Sequence, residues 1–271
     1  HADKRKLEPF NGENKAFLDI NNQPLVLYVL QALQNSQSIS RIAVVGPKKK
    51  LEDIIPDPNG IKITDESLGP KESRRFIENA VNAYNLVSPN KEKTLFLPCD
   101  LPFILAQDID DFILQTQKSK QIGFYYGMIN VNKIPPSIEA LKTSQKSFLK
   151  GKGYYRTAGL FLFDNANVNN RQYLESQIER VFPLRRTTSK LSKSILYGSL
   201  FWKFRKQLSK YFTHRLTQEE LEGAIYDKIG LKFKLTEVQS PRAIIDIDTA
   251  AEDKFISTDF NDLKTSLAPR S

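Results

Sequence analysis

Thr94-Leu95-Phe96-Leu97-Pro98-Cys99-Asp100-Leu101-Pro102 is the stretch around which the 271-residue chain reads. Its short apolar run has the length and composition of a buried strand, and Pro98, with no N–H for a ladder, stops it. Asp100 then stands where the strand emerges, and Pro102 fixes the turn behind it. In open parallel α/β sheets, ligands bind outside the carboxyl ends of strands, so a carboxylate placed there faces a site. The plainer reading makes Asp100 a cap for the helix that opens near Ala106. A distant stretch of the same form, Ile244-Ile245-Asp246-Ile247-Asp248-Thr249, favours the site: an apolar strand, emergent carboxylates, then a helix start.

The rest of the chain alternates in kind. Pro24 suits the first position of a helix whose apolar face is Leu25, Val29, Leu30 and Leu33. Residues 41–45 and 61–63 read as strands. Helical spacing of Phe76, Ala80, Ala83, Tyr84 and Val87 predicts a helix over 72–87, and another spans 106–117. Downstream come the apolar stretch 122–131, a buried strand at 158–163 and a helix around 171–182. Thr217-x-x-Glu220 is a capping box that opens a helix ending near Gly230, residues 231–235 alternate as a half-exposed strand, and Thr249-x-x-Glu252 is a second capping box. Strands alternating with helices predict an α/β fold with a mostly parallel central sheet covered by helices on both faces. One domain over residues 1–271 is expected, with a basic helical insertion at about 184–230.

Composition narrows the chemistry. With 40% hydrophobic and 26% charged residues, the chain reads as a soluble globular protein. It has no apolar run near the roughly 18 residues that span a bilayer, and no signal-peptide pattern. One cysteine and two histidines leave neither a disulfide framework nor a structural zinc site, so a reducing cytoplasm is the expected compartment. Cys99 reads as a small buried hydrophobe and His214 as structural or exposed. The net charge of +9 favours anionic partners. Arg185 to Arg215 holds nine Lys/Arg and no acid, with Leu191, Ile195, Leu200, Phe204, Leu208, Tyr211 and Phe212 at roughly helical spacing. Such a helix either packs its apolar stripe on the domain or lies peripherally on an anionic membrane.

Four stretches resemble the MobA-like nucleotidyltransferases, the NTP-transferase branch of the GT-A type, Rossmann-type fold. Lys15-Ala16-Phe17-Leu18 with Gln23-Pro24-Leu25 is similar to the family's Lys-Ala-Leu-Leu and following Pro-Leu pattern. Leu97-Pro98-Cys99-Asp100-Leu101-Pro102 resembles its Asp-x-Pro motif, and Thr157-Ala158-Gly159-Leu160-Phe161 its acceptor-side glycine strand. Asp246-Ile247-Asp248-Thr249-Ala250-Ala251-Glu252-Asp253 resembles its closing Asp-x-Asp-Thr-Pro-Glu-Asp, with alanines where proline is usual. That family opens on a strand and a glycine-rich loop that holds the triphosphate. Residue 1 falls just past the point where this loop would stand, so the loop is expected to be missing from the recorded chain and activity to be weak without it.

The resemblance implies transfer of NMP from an NTP to a phosphorylated acceptor, with release of pyrophosphate. It implies Mg²⁺ at Asp100 with Asp248 or, ranked lower, Asp246, and Lys15 at the phosphates. The base would lie near Gly69 and Ser73, and the acceptor near Arg156 and Gly159. Each has a plainer reading: a surface lysine, an ordinary Gly-Pro turn, a solvated loop. The chemistry itself suits the composition. The attacking phosphate oxygen is ionised at pH 7, so alignment and charge neutralisation matter more than a strong base, and Mg²⁺ takes one or two protein carboxylates while leaving positions for phosphate and water. The competing expectations are a GT-A glycosyltransferase using a nucleotide-sugar, and a non-catalytic nucleotide binder associated with membranes. No nucleic-acid partner is expected.

Overall fold

The computed structural model describes residues 14–55, 60–67, 72–87, 93–119, 121–136, 138, 146–164, 204–247 and 250–267. In chain order the strands are β1 (Asp19–Ile20), β2 (Gln23–Pro24), β3 (Ile42–Val45), β4 (Ile61–Thr64), β5 (Lys93–Phe96), β6 (Phe124–Asn130), β7 (Ser147–Leu149), β8 (Gly153–Asp164) and β9 (Phe233–Glu237). The helices are α1 (Leu25–Asn35), α2 (Lys48–Ile54), α3 (Glu72–Val87), α4 (Ala106–Gln117), α5 (204–212), α6 (Gln218–Ile229) and α7 (Ala250–Ser266).

The main sheet is ordered β5-β8-β6-β9, with β7 beside β8. β5, β6 and β7 each pair antiparallel with β8, and β9 pairs parallel with β6. β3 and β4 form a separate parallel pair. The α/β class holds, but the expectation of a mostly parallel sheet is corrected: the described pairings are mixed. The apolar run at 158–163 belongs to a 12-residue strand that returns through the middle of the sheet. Side chains alternate with period two whichever way a strand runs, so that run carries no mark of its direction.

Alternation along β8 divides the faces. Ala158, Leu160 and Leu162 join Leu25 and Val29 of α1, Ile109 and Phe112 of α4, and Ile256 and Phe260 of α7 in the largest core cluster. On the opposite face Phe161 neighbours Phe124 and Tyr126, and Phe124 stacks on Phe233 at 5.9 Å. α3 reaches that second face through Tyr84, edge-on to Phe163 at 6.3 Å. Helices therefore lie on both faces. A smaller cluster joins Ala16, Phe17, Val26, Leu30, Leu51 and Ile61 around β3 and β4.

Local signals set most element ends. Asn21 and Asn22 take φ of 51° and 61°, which closes the two-residue hairpin between β1 and β2. α3 and α4 occupy the expected spans. α6 opens on the reciprocal Thr217–Glu220 cap and ends on Gly230 at φ 72°. α2 has no counterpart among the elements read from the sequence, because Leu51 is its only buried residue and one apolar position makes no stripe. α6 also lies along the outer side of β9. Gln218 Nε2 donates to the Leu235 carbonyl at 2.9 Å, and the Leu235 N–H donates to Glu222 Oε1 at 2.9 Å.

The expected strand at 244–249 is a second correction. Pro241–Ile244 forms a 3-10 turn, and residues 245–247 follow outside any ladder. Ala243, Ile244, Ile245 and Ile247 are almost fully buried. The run is apolar because it is wedged into the core, which needs no sheet. Asp248, Thr249, the 171–182 helix and residues 185–203 lie outside the described residues.

Candidate functional site

Lys15 opens a one-turn 3-10 helix, Lys15–Phe17, whose Ala16 N–H donates to the Asn14 side chain at 3.0 Å. Ala16 and Phe17 are buried, so the turn is pinned and Lys15 is directed away from its packed side. Its Nζ donates to Asp100 Oδ2 at 3.3 Å, across 85 residues of sequence. The two side chains are 21% and 15% exposed, open enough to exchange partners with a ligand.

Asp100 is placed by what surrounds it in the chain. The β5–β8 ladder ends at the Phe96–Phe161 pair, and Pro98 follows within two residues. Leu101, Pro102, Phe103 and Ile104 are buried, which anchors the turn from its far side. Gly159 lies beneath that turn. A Cβ there would stand 2.9 Å from Leu101 Cδ1 and 3.1 Å from Pro98 Cγ, so a side chain at this position would press on the turn and the turn would have to shift from β8. Burial, then the charge of Asp100, pushes the Cys99 thiol up to about 12. It is a neutral group packed on the smaller core cluster and not a nucleophile.

The remaining candidates divide. Arg156 is in strand β8 opposite Ile129, 4% exposed, and not in a solvated loop. Asp246 is half-buried between Ile245 and Ile247, in the turn after Ile244. Leu101, Ala158, Ile245 and Ile247 share one core cluster, so the turns carrying Asp100 and Asp246 pack on the same body. Gly69 and Asp248 lie outside the described residues, as does the side chain of Ser73. His214 is exposed, with φ of 55°.

One pairing near these turns has no counterpart in the sequence reading. Arg242 Nε donates to Asp108 Oδ2 at 2.7 Å and Nη2 to Oδ1 at 2.6 Å, while Nη1 donates to the Leu267 carbonyl. Asp108 also accepts the Leu105 N–H at 3.0 Å, which caps α4. A charged residue inside the apolar run 241–247 was the available signal.

Chemically, the mouth of β5 joins a partly exposed ammonium to a carboxylate on a turn anchored in the core. The first suits phosphate oxygens, and the second suits a hard divalent cation. Among the described residues no three His, Cys, Asp or Glu side chains gather into a metal cage. One or two carboxylates are what Mg²⁺ uses when phosphates complete its shell.

Residues 9–127 match the MobA-like NTP transferase domain family, a span containing both Lys15 and Asp100. The 2-C-methyl-D-erythritol 4-phosphate cytidylyltransferase of Clostridium botulinum (strain Okra / Type B1) is 30% identical over 138 residues, 50% of this chain and 56% of that protein. The chain thus matches little more than half the length of this curated relative. The solved structure of a hypothetical transferase from Thermus thermophilus superposes with a TM-score of 0.67 at 20% identity, covering 90% of this chain and 92% of the other. That of 4-diphosphocytidyl-2C-methyl-D-erythritol synthase from Anaerococcus prevotii DSM 20548 gives 0.52 at 12% identity, covering 93% and 92%. These likenesses establish the nucleotidyltransferase fold.

Proposed function

We propose that this chain, with its match to the MobA-like NTP transferase domain, is a nucleotidyltransferase that moves NMP from an NTP to a phosphorylated small-molecule acceptor and releases pyrophosphate. The observation that carries the reading is the Lys15–Asp100 pair at the end of β5. It joins an ammonium suited to phosphate oxygens to a carboxylate suited to a divalent cation, just beyond the carboxyl end of β5. The cytidylyltransferase among the relatives makes CTP the first donor to test.

Asp100 and Asp246 offer hard oxygen donors that fit Mg²⁺, with Asp248 as the further candidate from sequence. A bound Mg²⁺ would supply neutralisation of the triphosphate charge that develops as pyrophosphate leaves. Lys15 would turn from Asp100 to the phosphate oxygens, drawing the triphosphate toward the turn. Gly159 keeps that turn close to β8, and Arg156 on the same strand is the candidate for the acceptor phosphate. The acceptor's own phosphate oxygen attacks the α-phosphorus as pyrophosphate departs, so no side chain needs to remove a proton.

We also propose that the 185–215 stretch meets an anionic membrane surface peripherally. In its described part, Arg205, Lys206 and Lys210 are exposed beside Phe212, which is 73% exposed, whereas Phe204, Leu208 and Tyr211 are half-buried. Among the described residues no helix is long and apolar enough to cross a membrane.

The deciding experiment is pyrophosphate release from each NTP with Mg²⁺ and a set of phosphorylated acceptors. Release that depends on acceptor and is lost in Asp100→Asn supports the reading. Transfer from a nucleotide-sugar without pyrophosphate would replace it with glycosyl transfer.

A further inference from the structure

We infer that Arg242 and Asp108 form a positioning clamp that sets the geometry between the Asp100 and Asp246 turns, an inference that rests on the proposed cation site at those carboxylates. Arg242 stands four residues before Asp246, and the residues between are almost fully buried, leaving no slack: Ala243 at 0%, Ile244 at 4% and Ile245 at 1% exposure. Asp108 stands eight residues after Asp100. Buried Leu101, Pro102, Phe103 and Ile104 fill most of the gap, and the Leu105 N–H bonds back to Asp108 itself. One guanidinium therefore fastens the root of each acid-bearing turn to the other.

The same guanidinium reaches a third element. Its Nη1 holds the carbonyl of Leu267, just past the end of α7, and its own backbone N–H donates to Ser240 Oγ at 3.2 Å. The clamp is dry: the side chains of Arg242 and Asp108 are 8% and 2% exposed. A fork-to-fork pair fixes angle as well as distance, which one ammonium on a flexible stem does not. Apolar residues of similar volume often keep a fold as stable as a buried ion pair does, so stability alone gives little reason for these charges at this place. Registry between two loops that share a cation is a reason.

The test uses Mn²⁺ alone as the probe, titrated into the full chain and read by electron paramagnetic resonance, beside thermal unfolding of each variant. The double variant Asp108→Leu/Arg242→Met leaves no lone buried charge, and it also removes the partners of the Leu105 N–H and the Leu267 carbonyl. It is expected to melt below the parent but to remain folded at the temperature of the titration, and there to bind Mn²⁺ at least tenfold more weakly. Arg242→Lys, which keeps the charge and loses the fork, should weaken Mn²⁺ as well. Parent-like Mn²⁺ affinity in the double variant overturns the clamp. Should the double variant not fold, parent-like affinity in Arg242→Lys overturns it equally. Asp100→Asn separates the two ideas: if it binds Mn²⁺ like the parent, the cation site itself is wrongly placed. If it loses Mn²⁺ while the double variant keeps it, the site stands and only the clamp falls.

Discussion

At the scale of single residues, the Lys15–Asp100 contact makes two ligands compete for one carboxylate. Any divalent cation at Asp100 must displace the ammonium of Lys15, and a partly exposed pair of this kind contributes up to about 1 kcal/mol. Lys15→Met should therefore bind Mg²⁺ alone up to about fivefold more tightly and NTP more weakly, as read by calorimetry; weaker Mg²⁺ binding would contradict the exchange. Asp100→Asn should lower pyrophosphate release by about 100-fold or more with the fold retained, and Asp246→Asn less. Cys99 carries a pH signature. Its thiol ordinarily titrates near 9 and in the fold near 12, so the native state keeps a proton that the unfolded chain loses. Stability should thus fall as pH rises through that window, and Cys99→Ser should flatten the fall in urea titrations at high pH. Asp100 could be singled out from its place after a strand end, and Lys15 only through the family resemblance; the contact between them is what the fold adds. Arg242 and Asp108 were not legible, since their meaning lies in a contact across 134 residues.

Elements show where period and direction part company. α3 and α4 were readable from their sequence, whereas β8 concealed its antiparallel course, and the described residues 244–247 carried the apolar signature of a strand while serving as packed turn. Sheet direction depends on where the chain goes between strands, and burial of a short run does not distinguish ladder from wedge. The β8 glycine can be tested directly. Gly159→Val would drive its side chain into Pro98 and Leu101, at a cost of about 1–3 kcal/mol from overpacking. Turnover should fall further than that loss of folding accounts for, because the turn bearing Asp100 is lifted; equal turnover at a temperature where both proteins are folded would argue against this. Asp108→Ala, by leaving Arg242 buried without its carboxylate, should lose about 3–5 kcal/mol in urea unfolding.

For the whole molecule, charge and placement matter together. The excess of 40 Lys+Arg over 31 Asp+Glu is concentrated in part at 185–215, where nine cations stand without an acid. Composition revealed that stretch; it did not reveal that α5 turns Phe204, Leu208 and Tyr211 toward the protein and leaves Phe212 outside. Co-sedimentation with vesicles of mixed neutral and anionic lipid should exceed that with neutral vesicles, and should decline as salt is raised. Equal sedimentation with both kinds at low salt would leave α5 as packing alone.

The contact of α6 with Leu235 has a consequence for the protein's behaviour in crowded solution. An open strand edge invites another chain to add its own strand, the first step toward amyloid-like growth. On β9 that invitation is withdrawn by two side chains, since Gln218 and Glu222 already occupy the outward carbonyl and N–H of Leu235. Replacing both with alanine would leave the Lys15–Asp100 pair beyond the far strand untouched and uncover a template for self-association. Such a variant should scatter light and bind amyloid dyes earlier than the parent on gentle heating.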